Sequence, residues 1–456
     1  MDGLRELPCV ADIRESLGKL PEDLKMAYDI IMERVKSRRG MSPKIAHRAF
    51  LWVMSSSQPL KGAQLVAAVC QDSETEATDS VVDVTAEFIL GACNNLLMID
   101  QSKVWRFSHL SVQEYLETHH HRLTEAHTLV GTVCLRLLSD PTNRDRLSSI
   151  TTSPWDRGAE KPTDSLLKYA ISCWIIHVRR HANPTIDDNL QSLLKQFLGS
   201  PGERSPAYVA WCSAYTNLEP YTVHNSIGLQ LGEQAIVSIL HFGLTRVLDG
   251  WWTSGLDAKW TTGDGCPLLH VAVQGSDGDS LGVATKLLEL GHDVNAQGGY
   301  FGNALQAAAQ RSGSEATVRL LLDRGADVNA QGGHFGNALQ AAAQRSGSED
   351  TVRLLLDSGA NVDAQGGHFG NALQAAAAQW NNEATVRLLL GRGADVNAQG
   401  GKYVCALQAA ARLGSSSIVR ILLSYGASFN GLDGKYHAQV RGTAVPMVSK
   451  CTGGAL

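Results

Sequence analysis

Aromatic residues are scarce, 6% of the 456-residue chain. No stretch approaches the ~18 or more apolar residues of a membrane span, so no membrane partner is expected. The nine cysteines are odd in number and scattered, with no Cys-x-x-Cys pair. That argues against a disulfide framework or a zinc site and suits a reducing compartment. Charge of basic sign is not in excess. The net charge is −5, which gives no reason to expect nucleic acid or an anionic membrane surface. The opening Met-Asp-Gly-Leu-Arg-Glu has acids where a signal peptide needs an apolar run. The string Gly-x-x-x-x-Gly-Lys-[Ser/Thr] is missing. With it go the backbone cradle, the lysine and the magnesium-binding hydroxyl of a nucleotide site. His-Glu-x-x-His is missing as well, and no nucleophile–base–orienter set stands out. These gaps predict a soluble cytoplasmic protein that is not an enzyme and needs no cofactor or metal. An apolar fraction of 44% is that of a globular chain, and the length predicts two or three domains.

What the chain does have is a repeat. Asn-Ala-Leu-Gln-Ala-Ala-Ala begins at Asn303, Asn337 and Asn371, a step of 34 residues. Val-Arg-Leu-Leu-Leu begins at Val318, Val352 and Val386. Asp-Val-Asn-Ala-Gln-Gly-Gly begins at Asp293, Asp327 and Asp395, with Asn361-Val-Asp363-Ala-Gln-Gly-Gly in step between them. Units 300–333 and 334–367 differ at five of 34 positions. Self-similarity at this period marks a stacked array.

Each unit predicts helix, turn, helix and finger. Asn337 suits an N-cap, its side-chain oxygen accepting from the amide of Gln340, and Gln340 is expected to reach back in a capping-box-like pair. Small alanines at 341–343 let neighbouring helices approach. Gly347 breaks the first helix. The second is expected from Glu349 to Asp357, with Val352, Leu354, Leu355 and Leu356 as its apolar body and Gly359 as a left-handed stop. The polar, Gly-rich stretch from Asn361 to Gly370 predicts an extended finger. The recurring acids Asp293, Asp327, Asp363 and Asp395 are expected to order the finger turns. A unit of this size buries its apolar face only by stacking on its neighbours.

On these residues the pattern resembles the ankyrin repeat, with Asn-Ala-Leu-Gln in place of the family's usual Thr-Pro-Leu-His. Cys266-Pro-Leu-Leu-His270-Val-Ala starts an earlier unit, and Cys405-Ala-Leu-Gln-Ala-Ala-Ala411 starts the last full one. Ile236–Ala258 looks like a decayed first repeat. The resemblance implies an ankyrin solenoid of about five full repeats plus a degenerate first one over 234–433. It also implies a protein partner held by finger tips and the adjoining helix surface.

Ahead of the array, residues 20–39 predict a helix with Leu24, Tyr28, Ile31 and Val35 on one face. Residues 42–122 predict helices near 43–55, 61–71 and 80–95, a hairpin of Leu96–Asp100 and Val104–Ser108, and a helix from Ser111. That is the order of a winged helix. Its third helix carries Asp83 and Glu87 and no Lys or Arg, which argues against DNA, because phosphate contact needs cations. Leu20-Pro-Glu-Asp-Leu-Lys…Tyr28-Asp, Gln58-Pro-Leu-Lys61, Phe107-Ser-His-Leu-Ser-Val-Gln-Glu-Tyr-Leu116 and Lys168-Tyr-Ala-Ile-Ser-Cys-Trp174-Ile-Ile-His177 resemble the region after the NACHT ATPase in fungal NACHT–ankyrin, NLR-like proteins. The resemblance covers about 1–125, and 125–245 thinly. It implies a back half without the ATPase, so nucleotide switching is not carried over. The expected plan is mostly α. It has an N-terminal helical segment (1–41), a winged-helix-like domain (42–122), a helical spacer domain (123–233), the ankyrin repeats (234–433) and a loose tail (434–456). In the spacer, Ser139–Pro162 predicts a polar loop, and Leu166–Arg180, Ile186–Leu198 and Ala207–Tyr215 predict helices.

Four sites carry the functional expectations. His109 matches the histidine that faces nucleotide in switching relatives; without the phosphate loop it is expected to be a packed or solvated side chain. His119, His120 and His121 are consecutive, so on a helix they cannot converge on a metal. The finger positions Tyr300-Phe301, His334-Phe335, His368-Phe369 and Lys402-Tyr403 fall in register. Either the phenylalanines join a ladder of anchors, or they pack inside and leave the preceding residue exposed. Trp380 replaces a serine of the preceding units at an expected exposed turn. Tyr300, His334, His368, Lys402, Tyr403 and Trp380 are thus the expected partner-binding residues. With 11 basic and 15 acidic side chains over 263–433, the expected partner is a polypeptide, and an NTPase-containing relative is one candidate. Two alternatives stay open: a winged-helix DNA-associated regulator whose repeats recruit a partner, and a truncated, non-functional relic of an NLR-like receptor.

Overall fold

The computed structural model describes residues 22–71, 84–150, 162–180, 188–201, 203–218, 235–248, 250–253, 259–262, 265–275 and 280–428. Residues 1–21, Asp83, Gly255–Ala258 and the tail 434–456, on which several expectations fall, lie outside them. The chain is mostly helical and divides into two compact units. One runs to Pro220 and includes Arg246–Trp251; the other takes Tyr221–Thr245 and everything from Trp252.

In the first unit, helices Glu22–Lys36, Ser42–Ser55, Gly62–Val69 and Ala86–Ala92 lead into a two-stranded antiparallel hairpin. Its strands, Leu97–Ile99 and Trp105–Phe107, pair Leu97 with Phe107 and Ile99 with Trp105. Asp100 makes the turn, its carboxylate accepting from the amides of Ser102 at 2.8 Å and Val104 at 3.0 Å. Helices Leu110–His119, Leu123–Ser139, Arg144–Ser149, Pro162–Arg180, Asp188–Leu198 and Pro206–Leu218 follow. The expected polar loop after Ser139 is in fact structured as far as residue 150. Asp140 accepts from the amide of Thr142 at 2.9 Å, which starts a 3-10 turn over Pro141–Asn143 and then a helix. Local capping overrides polar composition here.

Residues on both sides of position 122 share this unit's core. Ser57 donates its amide to the Tyr169 hydroxyl at 3.2 Å, and Gln64 donates to the Ser165 carbonyl at 3.1 Å. An aromatic cluster packs in this core. Trp174 meets Phe197 and Trp211 edge-on at 5.3 and 5.4 Å, and the Trp211 indole donates to the Ile171 carbonyl at 3.0 Å. Beside them lies a buried polar chain: His127 Nδ1 and His177 Nδ1 are 2.9 Å apart, and His177 Nε2 is 2.9 Å from the Tyr169 hydroxyl.

Among the described residues, the second unit holds five helix pairs. They are Leu268–Gln274 with Ser280–Glu289, Ala304–Ala309 with Glu315–Asp323, Ala338–Ala343 with Glu349–Asp357, Ala372–Ala377 with Glu383–Gly391, and Ala406–Leu413 with Ser416–Ser424. Helix Ala235–Phe242 precedes them; of the expected degenerate repeat it is the one helix among the described residues. The first helix of each later pair is short and alanine-rich, and its alanines are buried to the last one. The second helix is amphipathic: Val318, Leu321, Val352, Leu355, Val386 and Leu389 are fully buried, while Arg319, Arg353 and Arg387 are exposed. In the last pair Ile418, Val419, Ile421 and Leu422 are buried as well.

Two measurements follow. Leu355 is fully buried, so Leu355→Ala should lower the array's stability by ~2–5 kcal/mol in chemical denaturation. In the first unit, burial, then His127, then Arg180 hold His177 down to about 3. An imidazole of the unfolded chain titrates near ~6.5, so below that pH the unfolded state takes up a proton the folded state refuses. Stability is therefore full above pH ~6.5 and falls as the pH drops toward 3. Melting of the first unit should shift down between pH 7 and pH 4.5, and His177→Gln should flatten that dependence.

Candidate binding ridge at the finger tips

The fingers begin at an asparagine cap. Asn303, Asn337 and Asn371 accept from the amides of Gln306, Gln340 and Gln374 at 2.8, 2.9 and 2.8 Å. The expected reach-back of the glutamine does not form. Gln306, Gln340 and Gln374 instead donate to the carbonyls of Ala330, Ala364 and Ala398, at 3.3, 3.3 and 3.0 Å, so each ties its helix to its own unit's finger. His270 does the same at Ala296 with its imidazole, at 3.0 Å. A side chain that can satisfy a buried finger carbonyl is worth more there than a second cap.

Asp293, Asp327 and Asp395 order the turns as expected, accepting from the amides two residues on at 2.9 Å each. Asp363 does not, because it stands two positions later in the register. Asn361 makes that turn, and Asp363 accepts from the Asp395 amide of the next unit at 2.9 Å. At the matching place, Asn329 both accepts from the Asn361 amide at 2.8 Å and donates to the Gly359 carbonyl at 3.0 Å.

The tips form two rows. Backbone bonds run from tip to tip: His334 donates to Tyr300 and His368 to His334, both at 2.8 Å, and Lys402 to His368 at 3.0 Å. In the inner row Phe301, Phe335 and Phe369 are buried and stack at 6.0 and 6.4 Å. Tyr403 continues that row, 6.3 Å from Phe369, with Lys402 Nζ and the Arg412 guanidinium each 5.6 Å from its ring centre. The outer row is Tyr300, His334, His368 and Lys402. Tyr300 and His334 stack at 4.8 Å, His334 and His368 at 4.7 Å. Tyr300 is 47% exposed and Lys402 is exposed, while the two histidines are half-buried. The phenylalanines are therefore packing residues, and Tyr403 belongs with them rather than with Lys402.

Trp380 is 60% exposed at the turn between helices Ala372–Ala377 and Glu383–Gly391. Asn381 takes the left-handed conformation that Gly347 takes one unit earlier, with φ of 55° against 77°. Asn382 reaches back to the Ala343 carbonyl of the preceding unit at 2.8 Å.

The remaining histidines part company. His109 caps helix Leu110–His119, its Nδ1 accepting from the Ser111 amide at 3.2 Å. His119 stacks on Tyr115, His120 Nε2 lies 2.6 Å from the Tyr115 hydroxyl, and His121 is buried edge-on to His47. Among the described residues, no three His, Cys, Asp or Glu side chains are grouped to hold a metal. No described helix is long and apolar enough to cross a membrane. The sequence also contains Gly278-Asp279-Ser280-Leu281-Gly282, the spacing of a hydrolase nucleophile elbow. Ser280 instead opens an outer helix, and its hydroxyl lies 3.5 Å from that of Thr317, which is no general base.

The closeness of the fingers sets a testable limit. A Cβ on Gly336 would lie 2.7 Å from the Gly367 nitrogen, and the φ of Gly336 is +86°. Two repeats on, Val404 stands at this place, with φ of 65°. Gly336→Ala should cost the array ~1–3 kcal/mol or more from backbone strain and clash, and Val404→Gly should stabilise it by ~1 kcal/mol. Melting temperatures of the two variants, moving in opposite directions, check this.

A family model described as ankyrin repeats, in three copies, matches residues 269–366 and 366–433. The human ASB11 ankyrin repeat domain is similar at 26% identity, over 44% of this chain and 87% of that one, with a TM-score of 0.38. An ankyrin repeat domain from Acinetobacter baumannii AYE is similar at 27% identity, over 42% of this chain and 98% of that one, with a TM-score of 0.35. No protein with a curated description matches. Cap, paired helices and stacked finger recur at the period of the sequence, and residues 269–433 are ankyrin repeats.

Proposed function

We propose that this protein is a receptor-like recognition scaffold whose outer row of finger tips, together with Trp380 at the helix–helix turn, binds a polypeptide partner. Ankyrin repeats are protein-interaction modules, and residues 269–433 carry that general role. The observation that supports the finer reading is the division of labour at the tips. Phe301, Phe335 and Phe369 are buried and fix the fingers. Tyr300, His334, His368 and Lys402 stand in register in front of them and make no side-chain hydrogen bond among the described residues. A polar row on a rigid backing is pre-organised for a partner, so little is lost to ordering on binding.

The resemblance of about 1–125 to the region after a NACHT ATPase supports a cytoplasmic, receptor-like role. The helix order of 42–122 supports a winged-helix-like domain there, and 123–233 serves as a helical spacer. The same resemblance makes an NTPase-containing relative one candidate partner.

Affinity capture with the full chain tests the ridge. The double variant His334→Gln, His368→Gln should capture at least fivefold less partner, with an unchanged melting temperature. Equal capture by variant and parent would remove the finger tips from the function.

A further inference from the structure

The outer row has a chemistry that narrows the partner. Tyr300, His334 and His368 stack on one another at 4.8 and 4.7 Å with interplanar angles of 17° and 25°. Inner-row rings close the histidines from behind, Phe335 at 5.1 Å from His334 and Phe369 at 5.0 Å from His368, both edge-on. Faces that cover one another are not free to stack on a ligand. Between the rungs, what is left for a partner is the ring edges, which carry the Tyr300 hydroxyl and the imidazole nitrogens, and then the Lys402 ammonium.

The electrostatics of the row are one-sided. Partial burial holds both histidines below the ordinary imidazole value. His368 and Lys402 push the same way on His334, and Lys402 on His368. The other side chains against these rings, Tyr300, Phe335 and Phe369, are uncharged at neutral pH. No carboxylate acts on either ring among the described residues. On a chain of net charge −5, this strip is a local exception. It carries one fixed cation and two groups that gain charge when an anion approaches.

We infer that the ladder Tyr300–His334–His368–Lys402 takes an extended acidic segment of a partner polypeptide, its carboxylates meeting the imidazole edges and the lysine. With rungs 4.7–4.8 Å apart and ~3.3 Å per extended residue, about five residues cover the four rungs. Each carboxylate bound favours the protonated imidazole, so binding draws protons and tightens as the pH falls through the histidine range. The stacked arrangement disfavours single-stranded nucleic acid, which needs open aromatic faces for its bases.

This inference rests on the ridge being the binding surface, and the experiment separates the two. Fluorescent octaglutamate, octaglutamine and octalysine peptides and octauridylate are titrated into the full chain at pH 5.5 and 7.5. Glutamate, with a pKa near ~4.3, stays charged at both. Octaglutamate should bind ahead of the other probes and about tenfold tighter at pH 5.5, as expected when two imidazoles gain charge on binding. The variant His334→Gln, His368→Gln, with its melting temperature unchanged, should lose the pH dependence, and Lys402→Gln should weaken binding at both pH values. Preferential binding of octaglutamine, octalysine or octauridylate that the double variant abolishes would keep the ridge and overturn the acidic partner. Octaglutamate binding with the same pH dependence in the double variant, or no probe affected by any variant, would overturn both.

Discussion

The second unit depends on how closely one finger's backbone approaches the next. Tip amides donate to the preceding tip's carbonyl at 2.8–3.0 Å, and the glycines alongside leave no room for a Cβ. Such an approach satisfies backbone groups that a short Gly-rich finger cannot pair within itself. It also explains why no unit stands alone. The asparagine at 295, 329 or 397 has its second hydrogen-bonding partner in the following unit. At Asp363 the bridge keeps its acceptor half, toward the Asp395 amide. A carboxylate oxygen does not donate as an amide does, so this junction lacks the bond to the next helix end.

The same constraint fixes what the tips can present. Two residues stand at each tip, and the close backbone register stacks like positions on one another. The second position faces inward, and phenylalanine fills it three times before Tyr403 closes the row between two cations. The first position is left half-exposed and free to vary, and it runs Tyr, His, His, Lys along the array. Rigidity and variability thus come from neighbouring residues, because the inner row holds the backbone that the outer row displays.

The periodic half was the legible half. The 34-residue step placed the helix pairs, the caps and the tip register. The same reading mistook what the recurring glutamine does, because the carbonyl it satisfies lies 24 residues away and no local pattern announces that bond. It misjudged Asp363, because a repeat read by residue type hides a two-position shift. The phenylalanines could be read either way from sequence, since an apolar residue beside a polar one at a loop tip fits both anchoring and packing. In the first unit no period exists. The structured stretch after Ser139 rests on a local cap at Asp140 that its polar composition hid, and the His127–His177 contact joins residues 50 apart, of which composition holds no trace.

The five differences between units 300–333 and 334–367 carry the last step. They are Tyr300 to His334, Ala316 to Asp350, Arg324 to Ser358, Asp327 to Asn361 and Asn329 to Asp363. Every one falls at an exposed or half-exposed position. No buried position differs, down to each alanine of the inner helices. Packing at native density explains the identity inside, because one extra methylene in a helix-to-helix contact is felt by both units. It does not explain which surface positions changed. One of the five lies on the ridge and turns a phenol into an imidazole. A stack of neutral rings thereby becomes one that can gain charge beside Lys402, with no change to the fold that holds it. On the proposed reading, partner choice is altered on this scaffold one rung at a time, while the stability of the array stays with the residues behind.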